Sequence, residues 1–139
     1  MTRQILIIDG QGGRIGGQLI DALRAACPDA ELTAVGTNSI ATANMLKYGP
    51  DAAATGENPV IAACRTADVI VGPVGIVIAD SLTGEVTPKM AKAVGQSNAL
   101  RVLIPVNKCR NIVVGAKDAA LSSLIREAAE EIAAALREA

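Results

Sequence analysis

Asp9 closes the apolar run Ile5-Leu6-Ile7-Ile8, and Gly10, Gly12, Gly13 and Gly16 follow it directly. A helical apolar pattern begins at Ile15, so the order is buried strand, tight turn, helix start. Glycine serves where backbone must turn sharply or approach a ligand closely, and a helix N-terminus carries unpaired N–H groups and partial positive charge. Together they make an anion site, suited above all to phosphate. The glycines space as G-x-G-G-x-x-G; Ile15 breaks the strict dinucleotide fingerprint G-x-G-x-x-G, although the strand–turn–helix setting is the one that motif requires. No G-K-[ST] follows, which excludes a Walker loop.

Other residues could also do chemistry. The end of the second strand, Gly36-Thr37-Asn38-Ser39, lacks the carboxylate that usually binds the ribose diol of NAD. If a dinucleotide binds, Arg14 and Ser39 favour a 2′-phosphate and hence NADP over NAD. The same departure equally suits a smaller nucleotide or another anion, so the cofactor stays unknown. Asp9 could bind a ribose hydroxyl or a cation such as Mg²⁺, or organise the turn by accepting N–H bonds. Lys108 next to Cys109 could lower the thiol pKa and make Cys109 a nucleophile or redox thiol, with Asn107 and Asn58 supplying hydrogen bonds; the alternative is an inert, partly buried Cys. Glu57 could act as a base. A weaker alternative is a metal site of Asp9, Glu57 and Cys109. Cys27 and Cys64 read as structural, and Tyr48 cannot form the Y-x-x-x-K pair of a short-chain dehydrogenase because position 52 is Ala.

Composition removes several classes. The 139 residues carry net charge −1, no His, and one aromatic, Tyr48. Nucleic-acid binding lacks both a basic footprint and stacking platforms. Catalysis by His is excluded, and three widely spaced cysteines form neither a zinc motif nor a disulfide framework. With no apolar run near the ~20 residues of a membrane span and no signal-peptide pattern, a cytoplasmic protein is expected.

The elements that must position these residues alternate. Strands are predicted at 4–9, 31–36, 51–55, 68–72, 100–106 and 111–115, and helices at 14–26, 40–48, 59–66, 88–97 and 118–137. The first helix should bury Ile15, Leu19, Leu23 and Ala26. The last should bury Leu121, Leu124, Ile125, Ala128, Ile132 and Leu136. Asn38 and its neighbours cap the second helix, Asn58-Pro59 the third, and Thr87-Pro88 the fourth. Residues 73–85 read as a loop with a short helix or strand. Only a few residues separate the last two strands, so the sixth, if paired to the fifth, must run antiparallel.

Such alternation specifies one domain, 1–139: a doubly wound Rossmann-like α/β sandwich with a mostly parallel sheet of five or six strands. Loops after the strand ends then share a rim. That rim should gather Asp9, Gly10, Gln11, Gly12, Gly13, Arg14, Ile15 and Gly16 with Thr37, Asn38 and Ser39. It should also gather Thr55, Gly56, Glu57 and Asn58, then Gly72, Pro73 and Gly75, and finally Asn107, Lys108 and Cys109. A small phosphate-bearing ligand is the expected partner. A homodimer, joined through the last helix or the 73–85 loop, could close the site.

The segments IDGQGGRIG (8–16), GTNSIATANML (36–46), ATGEN (54–58), VGPVGIV (71–77), GEVTPKMAKA (84–93) and IPVNKC (104–109) together resemble a family of small bacterial proteins of unknown function. The resemblance spans nearly the whole chain. It implies a bacterial cytosolic protein with a Rossmann-like fold and brings no activity with it.

Overall fold

The structure, a computed structural model, describes residues 2–106, 110–116 and 118–138. Strand β1 (Gln4–Asp9) is buried on both faces and sets the layers. Alternate side chains of a strand point to opposite faces. Ile5 and Ile7 accordingly enter one core, and Leu6 and Ile8 the other. Burying each of these four contributes roughly 1.5–3 kcal/mol.

The remaining strands are β2 (Glu31–Gly36), β3 (Ala52–Thr55), β4 (Val69–Pro73) and β5 (Leu100–Ile104), in the sheet order β3-β2-β1-β4-β5. Every pairing is parallel, with Asp9 opposite Gly36, Gly36 opposite Thr55, and Pro73 opposite Ile104. The C-terminal ends of all five strands therefore lie along one edge. β1 and β4 are neighbours although two strands intervene between them in the chain, which makes their junction the topological switch point.

Helices α1 (Arg14–Ala26) and α5 (Leu121–Glu138) cover the first core, joined by Met45 of α2 (Ser39–Leu46). Helices α3 (Glu57–Cys64) and α4 (Pro88–Gln96) cover the second, together with a 3₁₀ turn at Val74–Val77 and the strap that follows it. α1 buries Ile15, Leu19 and Leu23 as the pattern predicts, but also Ile20, while Ala26 is exposed. In α5, Ile125, Ala128 and Ile132 are buried, along with Ala129 and Ala133, which the predicted stripe omitted; Leu121, Leu124 and Leu136 pack at its margin. Asn38 caps α2 by accepting the Ala41 N–H at 2.8 Å, and Thr87 caps α4 by accepting that of Met90 at 3.1 Å, with Pro88 opening the helix.

Two expectations need correction. α3 begins at Glu57, with Gly56 (φ 102°) before it, so Asn58 is not its cap. Pro59 sits inside the first turn, where a missing N–H costs nothing; the first helical bond runs from Val60 N–H to Gly56 C=O at 3.3 Å.

The sixth, antiparallel strand does not form. Residues 111–115 pair with no strand, and Ile112 and Val114 are 89% and 94% exposed. The reason is topological. Val106, just past β5, and Leu121, at the start of α5, line the same depression, so the connection ends where it begins. A strand antiparallel to β5 would carry the chain to the opposite edge, away from the point where α5 must start. Among the described residues, no helix is long and apolar enough to cross a membrane.

Candidate functional site

Gln11 (φ 49°) and Gly13 (φ 73°) take left-handed conformations to close the turn after β1, and the Gly13 N–H donates to Gly10 C=O at 2.9 Å. Gly13 is held there by contact. A Cβ at this position would lie 2.5 Å from the carbonyl oxygen of Ala41, so α1 and α2 approach through the glycine. Asn38 Nδ2 donates to Gln11 C=O at 3.0 Å and Asn44 Nδ2 to Gly12 C=O at 2.6 Å, which fastens the turn to α2 from the side.

Asp9 settles into the turn rather than facing solvent. Only 3% exposed, it accepts the Gly10 N–H on Oδ1 at 2.8 Å and the Gly16 N–H on Oδ2 at 2.7 Å. Of the roles open to it in the sequence, organiser of the turn is the one this geometry fills. Burial pushes its carboxyl above the usual 3.8; the N–H groups of Gly16, Gly10 and Ile15 pull it back, and the charge of Glu85 adds to the rise. Among the described residues, the N–H groups of Gly12 and Arg14 have no acceptor.

The turn forms one wall of a depression of about 340 Å³, lined by Asp9 through Ile15 together with Val106 and Leu121. It opens on the α1/α5 side. The other side of the switch point is filled: a Cβ at Gly10 would lie 2.9 Å from Leu82 Cδ1, and one at Gly75 would lie 3.8 Å from Leu82 Cδ2. Leu82 belongs to a strap, residues 79–86, in which Asp80, Leu82 and Thr83 all have positive φ. Ser81 Oγ donates to Gly75 C=O, and Asp80 N–H to Val86 C=O at 2.7 Å, holding the strap down.

From this strap Glu85 reaches the end of β2. Its Oε1 accepts the Gln11 N–H at 2.8 Å, the Thr37 hydroxyl at 2.7 Å and the Asn38 amide at 2.8 Å. Partial burial pushes its carboxyl up, but those three donors outweigh it and hold the group below the usual 4.5. A carboxylate thus stands at the end of β2 after all. Nothing local in the sequence marks it, because it arrives from the β4–α4 connection.

The other rim residues divide. Gly36 packs against Thr42, whose hydroxyl lies 2.7 Å from that of Thr55, and Gly56 N–H donates to Gly36 C=O at 2.9 Å. Glu57 accepts the Thr87 hydroxyl at 2.6 Å, an engagement between α3 and α4 rather than with Asp9. Gly72 lies against the Ile8 carbonyl, Pro73 is buried opposite Ile104, and Gly75 is buried against Ser81 of the strap. Ser39 and Asn58 are exposed and do not line the depression. Arg14 does line it, so Arg14 and Ser39 do not share that pocket. Asn107, Lys108 and Cys109 lie outside the described residues. Among the described residues, no group of three or more His, Cys, Asp or Glu is placed to hold a metal ion. Sequence reasoning missed Glu85, Val106, Leu121 and Asn44; of these, only Val106 was signalled, by its place at a strand end.

The family described as Domain of unknown function (DUF3842) matches residues 4–137. No curated protein matches. Among solved structures, a dodecameric FMN-dependent Ubix-like decarboxylase from Escherichia coli O157:H7 aligns at 21% identity and a TM-score of 0.47, covering 97% of this chain and 75% of that one. A likeness of that degree carries no statement about what this chain binds.

Proposed function

The chain belongs to the family described as Domain of unknown function (DUF3842), and from its own residues we propose that it binds a small phosphate-bearing ligand in the depression against the glycine turn. The observation that carries this reading is the division of labour at the turn. Asp9 is directed inward onto the Gly10 and Gly16 N–H groups. That leaves the Gly12 and Arg14 N–H groups and the Arg14 side chain at the start of a 13-residue helix. Unpaired N–H groups, the positive end of the helix dipole and a guanidinium are the donors a phosphate needs. Asp9 lines the depression too, but both of its carboxylate oxygens are engaged by backbone N–H groups, which offset part of its charge beside an anion.

A volume of about 340 Å³ lies at the small end of ligand pockets and favours a compact ligand such as a mononucleotide or sugar phosphate. NADP is not singled out: Glu85 stands at Thr37 and Asn38, where its charge opposes a 2′-phosphate. The reading in which Cys109 is a nucleophile depends on residues outside those described and stays an alternative. Self-association as a homodimer is part of the proposal too, to be measured by light scattering across a concentration series.

Differential scanning fluorimetry with inorganic phosphate, AMP, ATP, GTP, NAD, NADP and FMN tests the ligand. A concentration-dependent rise in Tm with at least one of them is expected, and it should vanish in Gly12→Asp. Gly12 is the right position for that variant, because a Cβ there meets nothing closer than Arg14 Cγ at 4.0 Å. No shift with any phosphate compound, or an unchanged shift in Gly12→Asp, overturns the reading.

A further inference from the structure

Glu85 is a carboxylate with one oxygen spent and one left over. Three donors from two different loops, the Gln11 N–H, the Thr37 hydroxyl and the Asn38 amide, all converge on Oε1. Among the described residues Oε2 accepts nothing, and it is accessible, since no buried side-chain oxygen lacks a partner. A carboxylate serving only to tie the strap to the rim could divide its donors between both oxygens. Here the side chain is anchored at one oxygen and presents the other.

What that oxygen could accept follows from its surroundings. Glu85 does not itself line the depression; it stands at the C-terminal end of β2, next to Gln11, which does line it and which donates to Glu85. A fixed carboxylate oxygen accepts from O–H or N–H donors and rejects anions. In α/β folds that hold a phosphate at the first turn, the end of the second strand is where the sugar attached to that phosphate comes to lie. The Thr37 hydroxyl proton and the Asn38 amide are spent on Oε1, and Asn38 Oδ1 on the Ala41 N–H, which leaves Oε2 as the charged acceptor at this point. The low pKa of the carboxyl keeps it ionised near neutrality, and hydrogen bonds to a charged acceptor are stronger than neutral ones.

We infer that Glu85 is a ligand-recognition residue whose free Oε2 accepts hydrogen bonds from the vicinal hydroxyls of a sugar, so that the ligand class is a sugar phosphate or ribonucleotide. This rests on the phosphate reading above and narrows it. The acid that β2 lacks in sequence is supplied by the strap, 48 residues beyond Thr37.

Isothermal titration calorimetry with inorganic phosphate, ribose 5-phosphate and 2-deoxyribose 5-phosphate tests it on the wild-type chain and on Glu85→Gln. The variant keeps an oxygen for the three anchoring donors and replaces the free acceptor by an amide. The wild type should bind ribose 5-phosphate about tenfold more tightly than either phosphate or the deoxy sugar, the worth of a hydrogen bond to a charged group. Glu85→Gln should bind all three alike, with inorganic phosphate held at least as tightly as by the wild type, since a negative charge near the anion is removed. The wild-type comparison does not depend on how the variant folds. Equal affinities in the wild type, or a preference retained in Glu85→Gln, overturn the assignment while leaving the phosphate site standing. Absence of binding by all three compounds overturns this inference, while the phosphate site falls only if the fluorimetry series above also shows no shift.

Discussion

The Asp9 carboxylate accepts the Gly16 N–H at 2.7 Å, seven residues along the chain. That bond turns the most conspicuous charge at the glycine turn into part of its scaffold. Asp9→Ala would strand the Gly10 and Gly16 N–H groups in a buried place, at a cost of about 1–3 kcal/mol. Urea unfolding of the variant against the wild type measures it, and an unchanged midpoint would mean that Asp9 does not hold the turn.

The two carboxylates at this turn should oppose each other in pH dependence. Folded Asp9 keeps its proton to higher pH than the unfolded chain, so stability falls as pH rises from 3.8 through its folded value. Glu85 is held below 4.5, so its contribution is complete above 4.5 and is lost as pH falls through its folded value. Unfolding free energies over a pH series should show the Asp9 slope disappear in Asp9→Asn and the Glu85 slope disappear in Glu85→Gln. Identical profiles for all three proteins would contradict both assignments.

Gly13 and Gly49 share φ 73° but differ in surroundings: a Cβ at Gly13 meets Ala41, and one at Gly49 meets nothing within 4 Å. Gly49→Ala should cost only the left-handed penalty of about 1–2 kcal/mol. Gly13→Ala should cost more, by roughly 1–3 kcal/mol for forcing the α1–α2 contact apart. Equal losses by chemical denaturation would show that α2 yields without cost.

In the strap, Thr83 is an exposed β-branched residue at φ 55°. Thr83→Gly should raise stability by about 1 kcal/mol through release of that strain. Leu82, 2% exposed, should lose about 2–5 kcal/mol on replacement by Ala. If thermal melts instead show Thr83→Gly destabilised, the hydroxyl or its methyl holds the strap in a way the backbone angles do not convey.

Burial pushes the Cys64 thiol from 9.0 to about 11, which lowers its thiolate fraction at pH 8 about a hundredfold. Iodoacetamide should therefore modify Cys64 in the native protein at least a hundredfold more slowly than in urea, read by peptide mass spectrometry. Rapid native labelling would place Cys64 in solvent.

Much of this was legible in the residues because it is local. The apolar run into Asp9, the Gly turn, the Asn38 and Thr87 caps and the alternation of strand and helix each depend on a few neighbours, whose sterics and hydrogen bonds act whatever the rest of the chain does. The same locality misled at Asn58-Pro59, where a cap signature lay inside a helix already begun, and at 111–115, where apolar composition suggested a strand and none forms. Tertiary structure alone decided that the sheet is wholly parallel, that Leu82 fills one side of the switch point, that the chain from Val106 returns to the same depression at Leu121, and that Glu85 stands at Thr37 and Asn38. Each of these depends on which way a crossover runs and where a distant loop lands. Such contacts are fixed when the two cores close on both faces of the sheet, and no short stretch of sequence carries their geometry.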